Sequence, residues 1–528
     1  MTFEELLAEN AQLRTALAAA LARIAELEGL VAKLLEEKGQ NSGNSGKPPS
    51  SDPPSARAGR RGKSKDKSGR KRGGQPGHGG AQRVLVPPDD VDDVVDHFPP
   101  ECENCWQPLA RTPDPSPQRH QTTELPPVKP HTTEHRGHTV TCPCCRHRTS
   151  ASFEVPPAFG PRLLAVVALL TGAYHLSRRA TGRLLSDLLG VKVSLGAVST
   201  IERRVSEAVK TAVQEVWEHV IDEATVKHTD GTTWFQAGTM YALWTIATVT
   251  ATAFKVLANA KRTTLAALFG DKRLGILVSD RATALTFWAM EKRQICWAHL
   301  LRKFVSFSER EGRGGVIGRE LLDYVGVIFE YWDDVKVGKL SRAEFRERMA
   351  PVRKNVEAAL HRAVAAKVKS VSGSCEDILE HAAALWSFVD IDGVDPTNNH
   401  AERELRAFVL WRRRSFGSQS ERGSLFAERL MTVTHTARKQ NKNVLAFLTA
   451  CCEAARDGKR APSLVRRLTY AAFDDVIGKY RVKPRSPALR TRPALLRCCI
   501  GRFKARGVCP MCAAITAINS PGFARTAS

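Results

Sequence analysis

The stretch that decides the fold runs from His228 to Trp234 and reads HTDGTTW. Behind it, from Gly160 to about Lys210, apolar residues recur at helical spacing; ahead of it, from Met240 to Leu257, the pattern is β-rich. A helix-like segment near Thr263 to Phe269 and the apolar run LGILVSD, Leu274 to Asp280, complete a series of strand, hairpin, helix and strand. Asp230 and Asp280 each fall near a strand end, where a rigid sheet aims a short carboxylate into a shared cleft. Asp222 and Glu223 compete with Asp230 by proximity, but they lack its Thr-Thr-Trp continuation.

A third carboxylate comes from DPTNNHAERELRAFVLWRRR, Asp395 to Arg414, where Asn398 or Asn399 can cap a helix that carries Glu402 in its first turn. Glu404 lies two positions further, which turns it about 200° away around a helix. Three converging carboxylates repel one another unless cations sit among them. Two magnesium ions roughly 3.5–4 Å apart would neutralise them, activate a water or 3′-hydroxyl and stabilise the leaving oxygen at phosphorus. The arginines after the acid, Arg403, Arg406, Arg412, Arg413 and Arg414, suit the phosphates of a scissile strand; a solvated helix face is the plainer reading.

Upstream, residues 158–215 read as helices. The first runs through Leu163 to Leu170 and the second from Ser177 to Leu189; Gly190 is a stop and Ser194 an N-cap for the third. The short Gly-containing turn, with Arg178, Arg179 and Arg183 on the helix before it, fits a helix-turn-helix that contacts DNA. Residues 84–157 are rich in Cys and His. The pairs CENC (Cys102, Cys105) and CPCC (Cys142, Cys145) have the two-residue spacing that lets both thiolates reach one tetrahedral ion, so a closed, structural four-cysteine zinc module is expected, with Cys144 as an alternative ligand.

Residues 1–38 carry a heptad seam, with Phe3, Asn10, Leu17, Ile24 and Val31 at one position and Leu6, Leu13, Ala20, Leu27 and Leu34 at the other. This predicts an oligomerising coiled coil whose Asn10 sets register; a helix packed on its own chain is the alternative. Residues 39–83, with RRGKSKDKSGRKR at Arg60 to Arg72, form a basic linker with almost nothing to bury. The net charge of +24 over 528 residues makes nucleic acid the first partner to consider. No apolar run reaches about 18 residues and no basic-plus-hydrophobic leader opens the chain, so a cytoplasmic protein without membrane association is expected. Residues 465–528 form an Arg-rich tail with further cysteines, at Cys498 and in CPMC (Cys509 to Cys512), and no role is assigned to it.

HTDGTTW, VSDRA, CWAHLLRKF and NNHAER, in this order, resemble the bacterial insertion-sequence sixty-six family of transposases. NSGNSGKPPSSD at Asn41 to Asp52 and GGQPGHGG at Gly73 to Gly80 resemble that family's N-terminal linker, so the likeness spans about residues 1–465. The resemblance implies a multidomain α/β and α protein. Its RNase H-like catalytic domain, residues 216–464, would be interrupted by a helical insertion at about 300–388. It implies that Asp230, Asp280 and Glu402 ligate Mg²⁺ or Mn²⁺, that Cys296 and His299 form the family's C-x-x-H element in a supporting role, and that Arg403 and Arg406 are basic positions after the Glu. One departure stands out: the family's first acid commonly opens an Asp-Glu-Thr triplet, whereas Gly231 follows Asp230 here. The expected activity is cleavage and joining of DNA at transposon ends and target DNA by a homo-oligomer, with small accessory proteins of the same element as possible helpers. The rivals are a DNA-binding regulator without catalysis and an RNase H-like nuclease that cuts without joining.

Overall fold

The computed structural model describes residues 2–41, 43–44, 84–271 and 273–465. Most of the basic linker and of the tail expected from the sequence lies outside these residues. The described residues fall into two compact units. One contains 84–151 and 183–193; the other contains the remaining described residues.

In the first unit a two-stranded antiparallel hairpin, β1 (Thr139–Thr141) and β2 (Arg148–Ser150), frames the second cysteine pair. Each pair sits in the same tight turn. Cys102 N–H donates to Gln107 O and Trp106 N–H to Cys102 O, and Cys142 and Arg146 repeat both bonds with His147 O and Cys142 O. Trp106 and Arg146 both take φ of 59°, the left-handed conformation that closes such a turn.

In the other unit α1 (Phe3–Gly39) is one long helix. Leu13, Leu17, Ile24, Leu27, Val31 and Leu34 are 45–63% exposed along it, so much of the heptad seam faces solvent. Next come α2 (Pro161–Ala168), which widens into a π-helical turn at Leu169–Ala173, then α3 (Arg178–Leu189), whose residues from Arg183 onward belong to the first unit, α4 (Leu195–Ala208) and α5 (Lys210–Glu218). Ser177 and Ser194 accept from Ala180 N–H and Ala197 N–H at the starts of α3 and α4, and Gly190 has a φ of +65°, as the helix-stop reading requires.

A five-stranded mixed sheet is the frame of this unit, ordered β5 (Thr252–Leu257), β4 (Thr239–Ala247), β3 (Val226–Gln236), β6 (Ile276–Ser279), β7 (Arg293–Ile295). The first three strands pair antiparallel as a meander, while β6 and β7 run parallel to β3. The parallel step needs a crossover, which α6 (Arg262–Phe269) supplies. Gly275 opens β6 at φ +76°, where a Cβ would lie 2.3 Å from Thr225 O; only glycine lets the new strand draw alongside β3.

Helices interrupt the chain between β7 and the last acid: α7 (Trp297–Ser308), α8 (Gly312–Lys336), α9 (Arg342–Ala365), α10 (Ser372–Glu380) and α11 (Ser387–Asp390). They share a core with the sheet edge, in which Ile276, Val278 and Ile295 join Trp297, Phe304, Trp386 and Phe388. The chain returns where it left, since Trp297 N–H donates to Pro396 O at 2.9 Å. It then forms α12 (Asn399–Ser415), α13 (Glu421–Lys439) and α14 (Val444–Arg456). Trp234, Leu243 and Phe254 from β3, β4 and β5 meet Leu405 and Phe408 of α12 and Met431 of α13, which fixes α12 against the sheet.

Candidate active site

Strand register sets the level of the site. His228 pairs with Val278 and Ser279 with Ile295, so Asp230, Asp280 and Cys296 follow at one level. Asp280 and Cys296 lie just past the ends of β6 and β7, but Asp230 sits in the middle of β3 and not near its end as expected, because β3 continues past it to pair with β4. Asp230 Oδ1 accepts from Gly231 N–H at 2.8 Å and Asp280 Oδ1 from Ala282 N–H at 3.0 Å, which orients each short carboxylate locally. Beneath Asp280, the fully buried Arg293 donates to Ser279 Oγ at 3.1 Å and to Asp280 O at 3.0 Å, pinning the strand end.

Glu402 enters from α12, and the Asn-Asn sequence before it aims the helix in a way that differs from the expected cap. Asn398 stands at the N-cap, but its side chain makes no capping bond. Its Nδ2 donates instead to Thr229 O at 2.7 Å, and its backbone N–H donates to Cys296 Sγ at 3.1 Å. The fully buried Asn398 thus ties α12 to β3 and to the end of β7, one residue from the first acid.

The three acids act on one another electrostatically. Removal from water, then Asp280, then Glu402, push Asp230 up to about 7, against the Gly231 N–H and the Arg302 guanidinium. Arg302 Nη2 lies 3.6 Å from Glu402 Oε2 and His299 Nδ1 lies 3.7 Å from Glu402 Oε1. Burial, then Arg302, hold His299 below its ordinary value against the pull of Glu402. Burial lifts the Cys296 thiol to about 11. Arg302 is a neighbour that sequence reading passed over; it sits three residues after His299, on the same face of α7.

The rival acids go elsewhere. Glu404 faces α13, where the His435 ring hydrogen bonds it and Lys439 Nζ lies 3.1 Å from Oε1. Although burial alone raises Glu404, His435 and Lys439 hold it at about 2. Glu223 pairs with His219 at 2.8 Å, and both Asp222 and Glu223 belong to a π-helical turn, His219–Glu223, ahead of the sheet. Gly231 also has its reason: a Cβ there would lie 2.8 Å from the Trp244 ring, so the residue after the first acid has no room for a side chain.

Of the basic candidates, Arg403, Arg406, Arg413 and Arg414 are exposed on α12. Arg412 is bound to β3 through Thr232 Oγ1 and the carbonyl and hydroxyl of Thr233. Arg179 and Arg183 are exposed, whereas Arg178 makes two bonds to Glu202 Oε2, at 2.9 and 2.6 Å, across the helix pair. In the cysteine turns, the N–H groups of Cys105 and Asn104 hold the Cys102 thiol below its usual value, and those of Cys145 and Cys144 do the same for Cys142. Among the described residues, the group of three metal-ligating side chains with all ligand atoms within 4.8 Å is Cys296, His299 and Glu402. Neither the four zinc-expected cysteines nor the three carboxylates form so tight a group, and a pair of ions several ångströms apart does not require that of the carboxylates.

Fold and site together define an α/β protein whose mixed sheet and one packed helix bring Asp230, Asp280 and Glu402 within electrostatic reach of one another. By sequence it belongs to the Transposase IS66 family, whose model matches residues 157–425. It is therefore a transposase, a DNA-processing protein with DNA as its substrate. Residues 1–84 match a family of unknown function (DUF6444). No curated protein matches the chain. No helix among the described residues is long and apolar enough to cross a membrane.

Proposed function

We propose that the chain is a DDE transposase that binds the ends of its element, cuts one phosphodiester to free a 3′-hydroxyl and directs that hydroxyl at target DNA. The observation that carries this reading is the gathering of Asp230, Asp280 and Glu402, in which burial first, then the neighbouring carboxylates Asp280 and Glu402, push Asp230 up to about 7. Such a cluster fits a cation pair, because divalent charge converts the repulsion into binding. When bound, Mg²⁺ or Mn²⁺ would supply activation of the attacking oxygen and stabilisation of the leaving one. The sheet order, antiparallel through β5, β4 and β3 and parallel through β6 and β7, supports an RNase H-like domain (216–464) with its helical insertion after β7.

The chain's own residues do the positioning. The middle of β3 and the end of β6 hold Asp230 and Asp280 at one level, Asn398 sets α12 against them, and Arg302 restrains one oxygen of Glu402. The exposed Arg403, Arg406, Arg413 and Arg414 suit strand phosphates, and the α3–α4 pair with Arg179 and Arg183 suits recognition of transposon ends. Thiolate-favouring turns at Cys102/Cys105 and Cys142/Cys145 support a structural zinc, since thiolate is the ligating form. The exposed seam of α1 supports homo-oligomerisation.

The test is cleavage and joining of a labelled transposon-end duplex with Mg²⁺ or Mn²⁺, comparing the chain with Asp280→Asn and Glu402→Gln. Joined product should fall by at least ~10²-fold in both variants, the scale of losing an electrostatic stabiliser of the transition state. Variants that match the parent would sink the carboxylate assignment. Cutting without joining on pre-cut ends would favour the nuclease, and end binding without either reaction the regulator.

A further inference from the structure

Helix α7 opens Cys296-Trp297-Ala298-His299, a spacing that supplies two soft ligands and no third. The fold adds one from α12, since Cys296 Sγ, a His299 ring nitrogen and a Glu402 carboxylate oxygen all lie within 4.8 Å of one another. His299 Nδ1 and Glu402 Oε1 are buried and neither has a hydrogen-bond partner, although they face each other at 3.7 Å. An unpaired buried nitrogen and oxygen are costly, and a cation between them satisfies both. Arg302 lies on the other carboxylate oxygen and so leaves Oε1 to this group.

We propose that Cys296, His299 and Glu402 bind one thiophilic divalent cation of the zinc type, with a fourth position open, and that this ion competes with the catalytic pair for Glu402. The donor set selects the ion. A thiolate and an imidazole suit zinc, whereas magnesium demands an octahedron of oxygens. Zinc–sulfur and zinc–nitrogen bonds of about 2.3 and 2.0 Å draw the three donor atoms together by on the order of 1 Å. On binding, the Cys296 thiol gives its proton to solvent and His299 lends the Nδ1 lone pair; nothing is oxidised or reduced. The Asn398 N–H already aimed at Sγ stabilises the resulting thiolate. Competition for Glu402 rests on the carboxylate reading above; the site itself does not.

The experiment is Co²⁺ titration of the full chain, read by chelator-competition stoichiometry and by thiolate-to-cobalt charge-transfer absorption. A background in which Cys102, Cys105, Cys142, Cys144, Cys145, Cys498, Cys499, Cys509 and Cys512 are all replaced by Ser removes both cysteine turns and the tail thiols, so that the band reports Cys296. In that background one equivalent should bind with a thiolate band. Cys296→Ser should abolish the band, and His299→Gln and Glu402→Gln should each weaken binding at least tenfold. Asp230→Asn should leave the band in place; its loss would put the ion among the aspartates and overturn the site. An unchanged band and stoichiometry in Cys296→Ser, or unchanged affinity in His299→Gln, would do the same. Should Cys296→Ser fail to fold, as its thermal melt would reveal, the partly exposed His299 carries the decision. No outcome depends on DNA chemistry, so loss of the transposase mechanism and loss of this site are separately visible.

Discussion

Gly231 and Glu404 show what one side chain contributes here. The glycine breaks the family's usual triplet because Trp244 fills the space its Cβ would take. Gly231→Ala should therefore destabilise the protein by ~1–3 kcal/mol, the usual range for overpacking, and adding Trp244→Leu should recover part of it in urea unfolding midpoints. Glu404→Gln should cost more, about 3–5 kcal/mol, because it leaves Lys439 facing a neutral partner in a largely buried setting. Glu402→Gln should change the same midpoint little, separating the structural acid from the proposed cation ligand. That the two acids diverge was legible in the sequence, since helix geometry alone turns them apart. The roles of Gly231, Arg302 and Asn398 were not, because each depends on a residue distant in the chain: Trp244, Glu402 and Thr229.

At the scale of elements, periodicity located β3 through β6 and the helices from Pro161 to Ala208 to within a few residues. It missed the π-helical turns at Leu169–Ala173 and His219–Glu223, whose apolar spacing barely departs from that of an α-helix. The first of these turns leads to His175, which stacks on Trp411 of α12 with ring centroids 4.8 Å apart. Burial, then Arg414, His435 and Arg438, hold His175 down at about 4. A folded value below the unfolded one means that His175 contributes stability above about pH 6.5, and that this is lost as pH falls from there through about 4. The melting temperature should decline across that window, and His175→Phe should flatten the decline while keeping the stacked ring. A profile identical in both proteins would show that the acid sensitivity arises elsewhere.

For the whole molecule, the heptads of α1 were readable at once, and its exposed leucines agree with a helix that seeks a partner. Deleting residues 1–38 should lower the sedimentation mass to that of a smaller assembly, whereas Asn10→Leu should keep association but loosen its stoichiometry. An unchanged mass after deletion would place the oligomer contact outside the seam. The helical insertion was legible only through family resemblance, since nothing local in residues 300–388 announces that they interrupt a sheet domain. That the chain leaves at Trp297 and returns at Pro396 has a consequence for synthesis. A nascent chain emerging from the ribosome presents Asp230 and Asp280 early, but it cannot close the cleft until the whole detour has been made and α12 has followed. On the carboxylate reading proposed above, any product cut short before Asn399 holds two of the three acids and lacks Glu402, so an unfinished copy of this transposase would be born disarmed.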